Sequence, residues 1–234
     1  PRPVLPMSPS IAASVMSAPL PSGTTMTLYY QGARIFHDGV MLHDHSLLVD
    51  GGKTVSIIAD SELPVGAPVR RLDGGILSPG FIETQANGGG GYLVNAHCDA
   101  EGLAHILAAH RTYGTVAMLP TFICDTQDNY LRGIASIAEA SRHVHGILGG
   151  HFEGPFIHPE KHGTHDPRLI RAPDDKDFAC YEKYAADLQH SIISLAPERV
   201  PAGTVRRIRD LGIRVTPWRR KPICSALSPR VSAV

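Results

Sequence analysis

The stretch Gly149-Gly150-His151-Phe152-Glu153-Gly154-Pro155, with its continuation Lys161-His162-Gly163-Thr164-His165-Asp166-Pro167, decides the fold. The apolar run Gly146-Ile147-Leu148 leads into a carboxylate and then into Gly-Pro, which cannot extend a strand. Glu153 is therefore predicted at the C-terminal tip of a buried strand, facing whatever the next loop encloses. The Gly-Thr-His that follows is small, polar and rich in donors, as suits a loop that clasps a polar ligand. A lone glutamate at a strand end also serves as a cap or an ion-pair partner, so its surroundings must decide its role.

Working outward, residues 76–216 alternate strand with helix. Asp99 is placed to cap a helix carrying Leu103, Ile106, Leu107 and His110 on one face, ended by Gly114. Thr115 to Leu119 reads as a buried strand. Thr126 opens a helix with Tyr130, Ile134, Ile137 and Ser141 in register. Phe178, Tyr181, Ala185 and Leu188 mark a third helix, and Ile192 to Leu195 a strand. Pro201 starts a helix through Val205, Ile208 and Leu211, closed by Gly212, and Ile213 to Val215 begins the next strand. Such alternation of buried strands and amphipathic helices predicts an α/β fold with a parallel sheet.

Residues 26–75 have a different rhythm. The runs Thr27 to Gln31, Ser46 to Asp50 and Thr54 to Ile58 are β-branched or aromatic, and Gly32, Asp38-Gly39, Gly51-Gly52 and Pro64 separate them. They predict a small all-β unit. Residues 1–25 are rich in Pro, Ser and Ala, contain no acid and read as disordered, with Met26 the expected start. Residues 217–234 have no helical or strand period, four bases and no acid, and read as a tail foreign to the fold; a natural basic extension is the competing reading.

Composition narrows the partners. The 234 residues are 43% hydrophobic and 19% charged, enough for a sizeable core. Lys+Arg and Asp+Glu are both 22, so the formal charge is zero and no nucleic-acid partner is expected. Cys98, Cys124, Cys180 and Cys224 form no C-x-x-C, which fits reduced thiols and a cytoplasmic location. No apolar run approaches the ~18–20 residues of a membrane span. Thirteen histidines raise the question of a metal, but His43-x-His45 and His143-x-His145 each lack a nearby third ligand. Gly88 to Gly91 are four consecutive glycines, expected in a loop that needs close backbone approach. They lack the G-x-G-x-x-G spacing, so a dinucleotide is not expected.

The segment H-F-E-G-P-F followed by K-H-G-T-H-D-P resembles the metal-binding segment of the N-acetylglucosamine-6-phosphate deacetylases, which belong to the amidohydrolase superfamily. The resemblance extends to Leu77-Ser78-Pro79-Gly80-Phe81-Ile82-Glu83-Thr84-Gln85-Ala86-Asn87-Gly88, to Gly114 through Thr121, and to Ser194-Leu195-Ala196-Pro197-Glu198. It covers roughly residues 27 to 215. It implies an incomplete (β/α)8 TIM barrel of the metal-dependent amidohydrolase type over 76–216, and over 26–75 part of a flanking β-sandwich. Glu153 is implied as a ligand of one divalent metal, zinc or similar, weakly held by this chain. Thr164 and His165 are implied as substrate contacts. Gln85 and Asn87 stand where many amidohydrolases carry His-x-His, which resembles the single-metal branch, and hydrogen bonding at the barrel mouth is an equal alternative for them. His151, two residues before Glu153 and on its face, is expected to support it.

The family continues its fifth strand into a Gly-His-Ser/Thr segment that this chain does not show. The His of that segment binds metal in the resembled proteins, whose two His ligands and proton-relay Asp come from later strands, so this chain is expected to supply no catalytic residue and to be inactive as it stands. The implied activity is metal-dependent hydrolysis of N-acetylglucosamine-6-phosphate, a small phosphorylated amino sugar, with homo-oligomers expected for intact relatives. The alternatives are a non-catalytic truncated product and an amidohydrolase acting on another amide.

Overall fold

The structure, a computed structural model, describes residues 27–218. The readings made for 1–25 and for 219–234 lie outside the described residues. Residues 27–82 with 111–116 form one compact unit, and residues 83–110 with 117–218 form a second.

Seven short strands build most of the first unit: β1 (Leu28–Gln31), β2 (Arg34–His37), β3 (Val40–Leu42), β4 (His45–Asp50), β5 (Lys53–Ala59), β6 (Val69–Arg71) and β7 (Ile76–Leu77). They pair as a sheet of order β5-β4-β1-β6 and a second of order β3-β2-β7. Gly51 and Gly52 both take positive φ, which lets a two-residue turn join β4 to β5. Tyr30, Ile35 and Leu47, all at or below 5% exposure, form a cluster to which Leu28, Leu42, Val49, Ile57, Leu72 and Leu77 add. Sequence reading found β1, β4 and β5. It missed β2, where Ile35 is buried but Arg34 and Phe36 point outward, leaving one core residue to carry the signal. The boundary expected after residue 75 falls later, because Leu77 pairs with Ile35 and packs in this cluster.

The second unit holds most of the strand and helix alternation, with residues 81–82, 111 and 115–116 of its elements counted in the first. Its elements are β8 (Phe81–Ala86), β9 (Gly88–Gly89), β10 (Tyr92–Leu93), α1 (Ala100–Arg111), β11 (Thr115–Ile123), α2 (Gln127–His143), β12 (His151–Glu153), α3 (Asp175–Lys183), β13 (Ile192–Leu195), α4 (Thr204–Asp210) and β14 (Arg214–Pro217). The main sheet has the order β14-β13-β12-β11-β8, and β11 through β14 pair in parallel. This is the predicted parallel α/β arrangement. Among the described residues the sheet is open, with β8 and β14 at its edges, so it is not a closed barrel.

The helices begin where their caps require. The Asp99 carboxylate accepts from the Gly102 N–H at 2.7 Å, and Thr126 accepts from Asn129. The third helix is shorter than predicted: α3 stops at Lys183, and Ala185–Leu188 continues as a separate 3-10 turn. Strand β11 is longer than predicted and runs through Pro120 to Ile123. Gly88 to Gly91 make the expected close approach within a short hairpin: β9 pairs with β10, a Cβ at Gly88 would collide with the Tyr92 carbonyl, and Gly90 and Gly91 turn with positive φ.

Packing gives the sheet two chemically different faces. Phe152, fully buried, meets Tyr130 of α2 and Tyr181 of α3 edge to face, with ring centroids 6.1 and 5.6 Å away. Burying such a ring stabilises by about 1.5–3 kcal/mol, and the edge-to-face geometry adds about 0.5–1.5 kcal/mol. Because side chains alternate along a strand, Phe152 turned to the helices turns His151 and Glu153 to the other face. Among the described residues no helix is long and apolar enough to cross a membrane.

Pro217 and Trp218, predicted to belong to the foreign tail, are built into this sheet end. Pro217 pairs with Leu195, and the Trp218 N–H donates to the Leu195 carbonyl at 2.7 Å. Trp218 is 8% exposed and packs with Cys124, Ile157 and Ala196. The ladder bond and the burial of a large ring make both residues part of the fold rather than of a foreign tail.

Candidate functional site

The register of the parallel strands lines up their C-terminal ends. Ile123, Glu153, Ser194 and Thr216 lie side by side across β11, β12, β13 and β14. Glu153 is thus the last residue of a central strand, as predicted. Its side chain is 13% exposed. One carboxylate oxygen, Oε1, accepts from the Gln85 amide at 3.1 Å. The other, Oε2, stands 3.9 Å from Nε2 of His165.

Gln85 therefore orients the carboxylate through a hydrogen bond. Asn87 is exposed, and its main-chain carbonyl accepts from Val94 at 2.9 Å, a bond that holds the glycine hairpin in place. Of the two amides, the structure brings Gln85 to Glu153.

His151 is 7% exposed and bonded through both ring nitrogens. Nδ1 lies 3.0 Å from the Thr84 carbonyl, which can only accept, so Nδ1 carries the proton. Nε2 lies 2.8 Å from the Ser194 hydroxyl, which in turn lies 2.8 Å from the Thr216 hydroxyl. Burial lowers the His151 pKa from its ordinary value, with the Thr84 bond acting in the opposite direction. With the ring neutral, Nε2 accepts from Ser194. The result is a polar chain across four strands, Thr84 to His151 to Ser194 to Thr216, that satisfies its buried groups. His151 thus buttresses the strand end that presents Glu153.

The loop that follows returns His165 to the carboxylate. Gly154 takes positive φ, and a Cβ there would collide with Cys124 Sγ, so only glycine fits the turn. The loop then passes through two short 3-10 turns, each with a proline in its first positions. His165 is 4% exposed, and Thr164 beside it is exposed. The Cys124 N–H donates to Nδ1 of His165 at 3.4 Å, so the proton of the neutral ring sits on Nε2, toward Glu153.

Sequence reading missed several residues that shape the site. Asn95 holds the tip of β11: its amide oxygen accepts from Ile123 N–H at 3.0 Å and its nitrogen donates to Asp125 at 3.1 Å. Ser194 was visible only as a residue of a predicted strand and a matching motif, and Thr216 only as the last residue before the expected tail. Cys124 packs against the Glu153 main chain, and burial pushes its thiol up to about 12, so it is an inert wall residue. Among the described residues no three His, Cys, Asp or Glu side chains stand together as a metal site.

The class that fold and site define is a parallel α/β protein with a carboxylate at the C-terminal tip of a central strand, the position where such folds place their chemistry. Comparison then specifies the kin: sequence and structure both match amino-sugar-6-phosphate deacetylases over about four-fifths of the chain. An N-acetylgalactosamine-6-phosphate deacetylase of Shewanella sp. (strain ANA-3) is 35% identical over 188 residues, which is 79% of this chain and 47% of that protein. An N-acetylglucosamine-6-phosphate deacetylase of Mus musculus is 32% identical over 197 residues, 81% of this chain and 48% of that protein. The crystal structure of N-acetylglucosamine-6-phosphate deacetylase from Pasteurella multocida superposes with a TM-score of 0.74 at 28% identity, covering 82% of this chain and 50% of that one. No protein-family model matches. The chain spans about half the length of the curated relatives it matches.

Proposed function

We propose that this chain contributes the Glu153 side of a site that hydrolyses the acetamido bond of an N-acetylhexosamine 6-phosphate, releasing the amine and acetate. The observation that carries the reading is the Glu153 carboxylate at a central strand tip, held by Gln85 and facing His165 of a Gly-Thr-His loop. Amide hydrolysis requires water to add to a poorly electrophilic carbonyl and a proton to reach the leaving amine. A divalent ion of the zinc type supplies Lewis acidity for the first step. Glu153 is the ligand this chain offers it. The described residues do not by themselves meet the three or four protein ligands such an ion takes.

The remaining roles belong to the chain's own side chains. Gln85 fixes the orientation of the carboxylate. His165, with Nε2 protonated, is a donor aimed into the 3.9 Å gap, suited to a carbonyl or hydroxyl oxygen of the sugar. Thr164 presents a main-chain amide and a hydroxyl beside it. His151 keeps the Glu153 strand end fixed without touching the substrate.

The test uses the 234-residue chain. N-acetylglucosamine 6-phosphate and its galacto epimer, at millimolar concentration, should shift the amide resonances of Gln85, Thr164 and His165. His165→Ala should abolish those shifts, and an absence of shifts in the unaltered chain would refute the reading. The chain alone should release no acetate above a Glu153→Gln control and should retain little zinc after dialysis. A non-catalytic role for the isolated chain is the second reading. The grouping of a single carboxylate with neutral Gln85 and His165 favours it, and acetate release above that control would end it.

A further inference from the structure

Trp218 is the chain's single tryptophan, and nothing in the function proposed above requires one. It follows the last residue of β14, and its position is fixed twice over. Its main-chain N–H donates to the Leu195 carbonyl at 2.7 Å, which carries the ladder one step beyond the strand. Its indole is buried against Cys124, Ile157 and Ala196, with Leu169 and Ile170 packed alongside.

From that anchor the indole reaches the ligand loop. Nε1–H donates to the Lys161 carbonyl at 2.9 Å. The ring meets the His165 imidazole edge to face, with centroids 5.2 Å apart and planes at 90°. The segment from Lys161 to His165 has no sheet ladder to hold it. Within the turn, His165 N–H donates to the His162 carbonyl at 3.1 Å and His162 Nδ1 donates to the His165 carbonyl at 2.8 Å, while the Cys124 N–H reaches His165 Nδ1 from the tip of β11. The two internal bonds shape the turn, and contacts from outside it must place it relative to β12. Trp218 grips the turn at both ends, Lys161 through a hydrogen bond and His165 through the ring.

We propose that Trp218 is a positioning residue: it docks the 161–165 turn on the sheet end and so sets His165 Nε2 opposite Glu153. The indole fixes where the imidazole ring lies, and the Cys124 N–H, donating to Nδ1, fixes which nitrogen carries the proton. An edge-to-face contact constrains ring orientation as well as distance. A donor on the far side of the turn removes the remaining freedom to swing. The geometric statement stands on these contacts alone, while its consequence for chemistry rests on the function proposed above.

The test is made without ligand, so its failure is distinguishable from failure of the amino-sugar reading. Trp218→Ala and Trp218→Phe are compared by amide hydrogen exchange and by long-range proton–nitrogen spectra of His165. Exchange of the Cys124 amide, which donates to His165, should accelerate about tenfold in Trp218→Ala, the scale set by losing one or two net hydrogen-bond equivalents. The Met118 and Ile192 amides, bonded to the Gly146 and Gly150 carbonyls away from the turn, should change less than about twofold. His165 should pass from the single Nε2–H tautomer to a mixture.

Trp218→Phe keeps a ring and loses the donor, and should give an intermediate acceleration of about threefold with the tautomer retained. An unchanged Cys124 rate and tautomer in Trp218→Ala would overturn the proposal. So would equal acceleration at Cys124, Met118 and Ile192, which is the signature of general destabilisation. If Trp218→Ala does not fold, the Trp218→Phe pattern decides by the same criteria.

Discussion

Asp177→Ala should destabilise the second unit by about 3 kcal/mol. Asp177 is fully buried at the start of α3. Its two oxygens accept from both terminal nitrogens of Arg171 at 2.6 and 2.7 Å, and Oδ2 also accepts from the Asp174 N–H at 2.9 Å, closing a capping box. Those hydrogen bonds raise the Arg171 pKa above its ordinary value. The guanidinium lies 5.4 Å from the centre of the Phe156 ring, and the Arg171 N–H donates to the Pro155 carbonyl at 3.1 Å, so the pair fixes the return of the loop that starts at Glu153. Removing one member of a buried pair costs about 3–5 kcal/mol. Arg171 retains 26% side-chain exposure and regains some water, which lowers the figure, whereas losing the cap restores about 1 kcal/mol to it. Asp177→Asn keeps one acceptor and should cost about half as much.

Urea titration followed by Trp218 fluorescence reads this directly, because the single indole lies in the same unit. In a double-mutant cycle with Arg171→Ala the two losses should couple by at least about 1 kcal/mol. A loss below about 1 kcal/mol for Asp177→Ala, or strictly additive effects, would refute the reasoning.

Three further outcomes follow from packing. Gly154→Ala should lower stability by about 2–3 kcal/mol in thermal melts, combining strain at positive φ with the clash against Cys124; a neutral effect would show that the turn can relax. Tyr130→Phe should cost about 1–2 kcal/mol, because it strands the buried Tyr181 hydroxyl now 2.5 Å from the Tyr130 hydroxyl. Adding Tyr181→Phe should then cost less than that alteration does alone, and urea titration of the three variants checks this. Burial holds the Cys98 and Cys124 thiols up to about 12, so at pH 8 iodoacetamide should label both at least about 100-fold more slowly than an exposed cysteine, by peptide mass spectrometry. Rapid labelling of either in the folded chain would contradict the burial described.

The sequence alone determined the alternation of parallel strands and helices, the caps at Asp99 and Thr126, the buried faces of α1 and α2, and Glu153 at a strand tip before a glycine turn. These are local matters: period, capping chemistry and the backbone limits of Gly-Pro act within a few residues. The motif resemblance added the amino-sugar deacetylase kinship that comparison supports.

Only the tertiary structure decided which side chains meet. Gln85 reaches Glu153 across 68 positions and His151 reaches Ser194 across 43, set by strand register, which no local pattern encodes. Trp218 shows the difference most clearly. In sequence it is the second residue of an aperiodic basic stretch, 217–234, that reads as foreign to the fold. In the folded chain it buries its ring between loops that are distant in sequence, at a site that exists only once β13 and the 161–165 turn are in place.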